Sequence, residues 1–136
     1  MDLMQAMEIA SKGMRAQGVR MRVISENIAN AETTGKSPEE LPYRRQLVTF
    51  KNLLDRKVGV KHVEVDDIVT DDSDFRMKYD PEHPAADERG YIRLPNVNAL
   101  VEMMDMREAQ RTYEANLGVI SMTRSMLNRA IDLLRS

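Results

Sequence analysis

The chain has 136 residues, 42% of them apolar and 31% charged, with a net charge of −2 and no cysteine. That length sets a single domain as the prior, the missing cysteine excludes disulfides and thiol chemistry, and no apolar run approaches the ~20 residues that cross a membrane. The small net charge conceals an asymmetry: Glu64–Gly90 holds ten acidic and three basic residues, net −7, which leaves +5 elsewhere. With no basic stripe interleaved with aromatics, nucleic acid is not an expected partner. Aromatics are scarce (four Tyr, two Phe, no Trp) and Met is abundant at eleven. The core is therefore expected to be aliphatic and adaptable.

The first element is a helix from about Leu3 to Ala31. Leu3, Met7, Ala10, Met14, Gln17, Met21, Ile24, Ile28 and Ala31 alternate four and three apart, and all but Gln17 are apolar. This is a heptad seam, the pattern of a helix that lies along another. Gly13 and Gly18 each cost it ~1 kcal/mol relative to Ala, so packing must supply the rest. The two glycines leave open a close approach by a neighbouring backbone. Lys12, Arg15 and Arg22 are read as a solvated outer face. Gly35 is the expected stop, with Pro38 and Pro42 beyond it. Asp2, Gln5, Glu8 and Lys12 interrupt the apolar residues, so the start is not read as a cleavable secretory signal.

After a loop at 33–42, Tyr43–Phe50 reads as a strand and Val58–Val65 as a second, with Lys51–Lys57 ambiguous between them. A third short strand is expected at Phe75–Tyr79. Two prolines and a glycine make Asp80–Ile92 an extended or turn segment. Such a β module is marginal without a covering helix.

A second long helix is expected from about Val97 to Leu134, capped by Asn96 or Asn98. Met106, Tyr113, Ile120, Leu127 and Leu134 recur every seven residues, with Ala109, Asn116, Thr123 and Ala130 three beyond each of the first four. Val119, Met126 and Leu133 widen the apolar face on one side, Leu117 and Ile131 on the other. Asn116, polar in the seam, would fix register. The fold class is mainly α with a small β insert. The terminal helices, residues 1–35 and 96–136, pair as a coiled coil, and a weak β module within 36–95 projects from it. The wide second face calls for neighbours beyond the chain, an arrangement that builds rings or filaments.

No catalytic, cofactor or metal site is expected. His62 and His83 lack ligand spacing, and His83 is read as a turn residue. Asp71, Asp72 and Asp74 begin like a calcium loop, but its glycine and distal glutamate are missing; they are read as a solvated acidic loop. No phosphate loop or nucleophile elbow is present.

The stretch Ala10-Ser-Lys-Gly-Met14, with Ala16, Met21 and Asn27-Ile-Ala-Asn-Ala-Glu-Thr-Thr-Gly35, resembles the N-terminal signature of bacterial flagellar rod and hook proteins. Asn96-Val-Asn98, Glu102-Met103, Ala109, Arg111 and Tyr113-Glu-Ala-Asn116 resemble that family's C-terminal helix. Tyr79–Asp87, Gly90-Tyr91 and Pro95–Val97 are similar to its short proximal-rod members. Lys36-Ser-Pro38 departs from the aromatic residue that many relatives place after the glycine. The resemblance implies a structural subunit of the proximal rod, exported unfolded by the flagellar type III apparatus without cleavage. Such subunits assemble in the periplasm with copies of themselves and other rod proteins into a hollow, torque-transmitting shaft. Their terminal helices line its channel. The residues then expected at assembly interfaces are Met7, Met14, Met21, Ile24 and Ile28 on the first helix, and Met106, Tyr113, Asn116, Ile120, Leu127 and Leu134 on the second. Asn27 and Asn30, off the apolar stripe, are expected in subunit contacts, in helix-end hydrogen bonds or as simple capping polarity. The competing class is a cytoplasmic coiled-coil adaptor or chaperone that binds a partner helix.

Overall fold

A computed structural model describes residues 2–136; Met1, part of the predicted span 1–35, lies outside the described residues. The order is α1 (Leu3–Ala29), β1 (Gln46–Asp55), β2 (Val60–Thr70), β3 (Arg76–Tyr79), β4 (Tyr91–Leu94) and α2 (Ala99–Arg135). Helix accounts for 47% of the chain, and the strands form two small antiparallel sheets, β1–β2 and β3–β4.

Each helix carries its own caps. Gln5 N–H donates to Asp2 Oδ1 at 2.8 Å and Asp2 N–H to Gln5 Oε1 at 3.2 Å, a reciprocal box that satisfies orphan donors at the start of α1. The helix ends at Ala29 because Asn30 turns back on it, its Nδ2 donating to the Glu26 carbonyl at 2.8 Å, while Thr33 Oγ1 donates to Asn30 Oδ1. Gly35 is therefore not the stop. It is a site of close approach, where a Cβ would collide with the Glu40 carbonyl oxygen. Asn98 caps α2, accepting from the N–H groups of Leu100 and Val101, whereas Asn96 serves elsewhere.

The ambiguous Lys51–Lys57 segment divides between strand and turn. β1 continues to Asp55, whose carbonyl accepts from Gly59 N–H at 2.7 Å, with Gly59 at a positive φ of 71°. β1 and β2 are longer and later than the spacing of their β-branched residues suggests, since pairing to the turn extends them, whereas β3 falls within its expected span. β4 is missed by the sequence reading. Its four residues follow a Pro- and Gly-rich segment and become a strand only by pairing with β3, Arg76 opposite Leu94 and Tyr79 opposite Tyr91. The two Tyr rings meet edge to face at 5.3 Å, and Ala85, Ile92 and Leu94 form a small buried cluster.

The chain divides into two compact units, and each takes part of both helices and part of the segment between them. The first comprises α1 up to Met21, Thr49–Asp67 and Arg107–Ser136. In it the helices run antiparallel, Gly13 beside Asn116 and Arg20 Nη2 3.5 Å from Glu108 Oε2. On α2 the shielded residues are Ala109, Tyr113, Asn116, Ile120, Thr123 and Leu127, spaced alternately four and three apart, as the sequence predicts. Leu134 is instead 87% exposed. The same stepping brings α1 to its start opposite about residue 126, so nothing in α1 remains to cover Leu134. The other flank of α1 faces the ribbon. Ala16 and Val19 line an open cleft with Val63 and Val65, and Lys12 Nζ lies 3.5 Å from the buried His62 ring. Lys12 is thus half-buried, not part of a solvated face; only Arg15 and Arg22 are exposed.

The glycines of α1 differ. A Cβ on Gly13 would lie 2.8 Å from Asn116 Nδ2, so this glycine admits the facing side chain, whereas Gly18 has no atom within 4 Å of such a Cβ. Gly18→Ala should therefore stabilise the isolated chain by up to ~1 kcal/mol through helix propensity, seen as a higher urea midpoint at unchanged slope.

Candidate functional site

The second unit, Arg22–Val48 with Ile68–Met106, is organised around a polar centre. Asn27 is 1% exposed and uses all four of its hydrogen-bonding valences. Its Nδ2 donates to the Gln46 carbonyl at 2.8 Å and to Glu102 Oε2 at 3.3 Å; its Oδ1 accepts from Tyr43 O–H at 2.8 Å and Gln46 N–H at 3.0 Å. Glu102, also 1% exposed, accepts from Arg45 Nε on its other oxygen. Arg45 reaches onward, with Nη1 3.2 Å from Asp71 Oδ2 and Nη2 3.6 Å from Asp105 Oδ2. Asn96 closes the ring, accepting from Arg45 N–H at 2.7 Å and donating to the Asp71 carbonyl at 3.0 Å. Arg44 donates to that same carbonyl and stacks over Phe75 at 4.2 Å. One constellation, buried at Asn27 and Glu102 and partly exposed at its edges, therefore ties the end of α1, the approach to β1, the loop after β2 and the start of α2. A buried charge pair with its remaining valences filled specifies geometry more than it adds net stability.

The charges follow that geometry. Burial alone lowers the Arg45 pKa, but the hydrogen bonds and charges of Glu102 and Asp71 outweigh it and hold the guanidinium above its ordinary value. Hydrogen bonds from Ser73, backbone first, then the Arg45 charge, pull the Asp71 carboxyl below its usual range. Burial, then Glu26 and Glu102, push the Tyr43 phenol up. Asp71 thus corrects the reading of 71–74 as a solvated loop, while Asp72 and Asp74 remain exposed. Because the folded pKa of Asp71 lies below its unfolded value of ~3.9, its stabilising contribution is complete above that value. It is lost as pH falls through the lower, folded one. Urea midpoints measured from pH 5 to pH 2.5 should fall more steeply in the native chain than in Asp71→Asn.

Apart from Asn27, which lies in this centre, the residues singled out from the sequence fall in several places. Ile24 is buried within the chain, Asn30 caps α1, and Met7, Met14, Met21 and Ile28 are partly buried at the margin of the shielded face. Tyr113, Asn116, Ile120 and Leu127 lie in the α2 seam, Met106 is partly buried in the second unit, and Leu134 is exposed. Arg45, Tyr43, Asp71 and Asn96 were not singled out for this site. Glu102 carries a signal, since it stands seven residues before Ala109 in the row Ala109, Asn116, Thr123; a carboxylate there needs a cation. His83 is the turn residue expected, its N–H donating to the Asp80 carbonyl and its Nδ1 accepting from Ala85 N–H. Among the described residues, no group of three His, Cys, Asp or Glu is placed to hold a metal.

A second surface stands outside the core of the first unit. Val119, Met122, Met126 and Leu133 lie on one side of α2, away from the shielded row, and are 44–76% exposed. Exposed apolar side chains in a continuous row mark an interaction surface more than a solvated one.

Comparison with known proteins matches residues 7–35 to the family described as flagella basal body rod protein. Residues 88–133 match the flagellar basal body rod FlgEFG protein C-terminal family. Two such matches, one on each terminal helix, define the class as a flagellar basal-body rod protein. The chain is 50% identical over 134 residues to the flagellar basal-body rod protein FlgC of Agrobacterium fabrum, covering 98% of this chain and 96% of the relative. To FlgC of Borreliella burgdorferi it is 40% identical, covering 99% of each chain, and to that of Bacillus subtilis 35%, covering 98% and 99%. The chain belongs to the FlgC family of flagellar basal-body rod proteins.

Proposed function

We propose that this chain is a structural subunit of the flagellar basal-body rod and not an enzyme. Full-length similarity to FlgC proteins carries this reading. The physical picture supports it. The seam of α2 is taken up within the chain, while a second apolar row on the same helix is left for neighbours. Within this reading the terminal helices, residues 1–35 and 96–136, form a coiled-coil layer around an export channel, and residues 36–95 make a β-containing insert that projects from it. The subunit sits in the proximal rod in the periplasm, reaches it through the type III export apparatus without a cleaved leader, and assembles with copies of itself and other rod proteins into a hollow shaft that transmits torque. Among the described residues, no helix is long and apolar enough to cross a membrane. An adaptor or chaperone would require neither the family's Asn27–Gly35 segment nor its Tyr79–Asp87 segment.

Purified basal bodies provide the test. Blotting for a tagged, functional chain should find it there after detergent and salt washing. Recovery only in the cytosolic fraction would overturn the rod reading in favour of the adaptor.

A further inference from the structure

We infer that the tip of the β1–β2 ribbon is a surface anchor by which the free chain adsorbs on a bilayer of anionic phospholipid. Residues 51–63 carry four cations, Lys51, Arg56, Lys57 and Lys61, against one acid, Asp55, a net of +3 in a chain of net −2. Asp55 is used by the turn itself: its Oδ1 accepts from Lys57 N–H at 2.9 Å and its carbonyl from Gly59 N–H at 2.7 Å. Lys51 lies 3.5 Å from Asp66. Among the described residues, Arg56, Lys57 and Lys61 are exposed and enter no ion pair. Three unpaired cations are thus gathered at one end of the ribbon, and their field attracts anions.

Charge alone suits any acidic partner; the apolar residues narrow the choice. Leu53 and Leu54 are 37% and 52% exposed, and as successive strand residues they point to opposite faces of the ribbon. Val58, also exposed, stands at the turn and shares an opening with Met4 and Met7 of α1. Asp2 and Glu8 line that opening too, but Asp2 accepts from Gln5 N–H and Glu8 pairs with Lys12 at 3.1 Å. A groove on a folded protein covers one face of a ribbon. A lipid interface surrounds a tip, so that apolar side chains of both faces enter the headgroup boundary while the cations around them meet phosphates. The Lys and Arg stems suit that boundary, being apolar below a wet charged head. Glu64, Asp66 and Asp67 follow farther along β2 and are repelled by the same surface, which favours an end-on approach, tip first.

Vesicle co-sedimentation of the full chain tests the anchor, with vesicles of phosphatidylcholine alone and of phosphatidylcholine and phosphatidylglycerol in equal parts. Partitioning should be about tenfold or more stronger on the anionic vesicles, and Lys57→Glu with Lys61→Glu should lower it by about tenfold or more. Leu53→Ser with Leu54→Ser should weaken it as well. Circular dichroism should show native helicity in both double variants, since all four positions are exposed. The chain has no tryptophan, so Leu54→Trp places a single fluorophore at the tip. Its emission should move to shorter wavelength and be quenched by brominated lipid on the anionic vesicles only. Equal partitioning on both vesicle types, or partitioning indifferent to the tip substitutions in chains of native helicity, overturns the anchor. Retention on polyglutamate beads equal to that on anionic vesicles, with an unmoved tryptophan emission, also overturns it and assigns the tip to an acidic protein.

Discussion

Glu102→Ala is expected to destabilise the isolated chain by about 3 kcal/mol, the lower end of what removing one partner of a buried charge pair costs. The carboxylate is 1% exposed and serves both Arg45 and Asn27. Its loss leaves a guanidinium and an amide without their buried acceptor, while Asp71 and Asp105 remain to hold part of the Arg45 charge. Those two carboxylates are why the lower end applies. For a chain of this length the midpoint of thermal unfolding should fall by ~10 °C, measured by circular dichroism. The pair is better described as specifying than as stabilising, which a double variant tests. Arg45→Met combined with Glu102→Met should recover much of the single-variant loss, because an apolar pair has no uncompensated charge. A double variant as unstable as the sum of the singles would show that the two residues act independently.

The second large effect concerns assembly and leaves folding untouched. Met122→Asp with Met126→Asp places two carboxylates on the outer row of α2, at positions 63% and 46% exposed. Thermal unfolding of the isolated chain should change by less than ~1 kcal/mol, as surface substitutions do. Motility in soft agar should be abolished, because burying an unpaired charge at a subunit contact costs several kcal/mol in each copy. Ile24→Asp would not separate these causes: Ile24 is 5% exposed within the chain, so its loss of function would follow from unfolding. Normal swimming with the double aspartate would remove the outer row from the assembly surface.

Much of this was legible in the sequence, and the rest was not for identifiable reasons. The α2 seam follows directly from its spacing, because large side chains recur every seven residues and small ones sit between them. On α1 the apolar row misled in part. Gly13, Arg20 and Asn27 meet α2, but a glycine, an arginine and an asparagine do not register as a hydrophobic stripe. Met7, Met14 and Met21 do register, yet lie at the margin. The polar centre was hidden because its members are far apart in the chain, Asn27 and Glu102 being 75 residues from each other. Only the position of Glu102 in a row of small residues hinted at it. β4 was unreadable for the same cause, since four residues acquire strand character only from a partner.

Electron cryomicroscopy of the intact basal body, with this chain traced in the rod, tests the central claim most directly. The account predicts Val119, Met122 and Met126 buried against a neighbouring subunit, with Arg45 still paired to Glu102 inside each copy. A traced chain whose outer α2 row faces solvent, or whose absence from the rod is established, would contradict it.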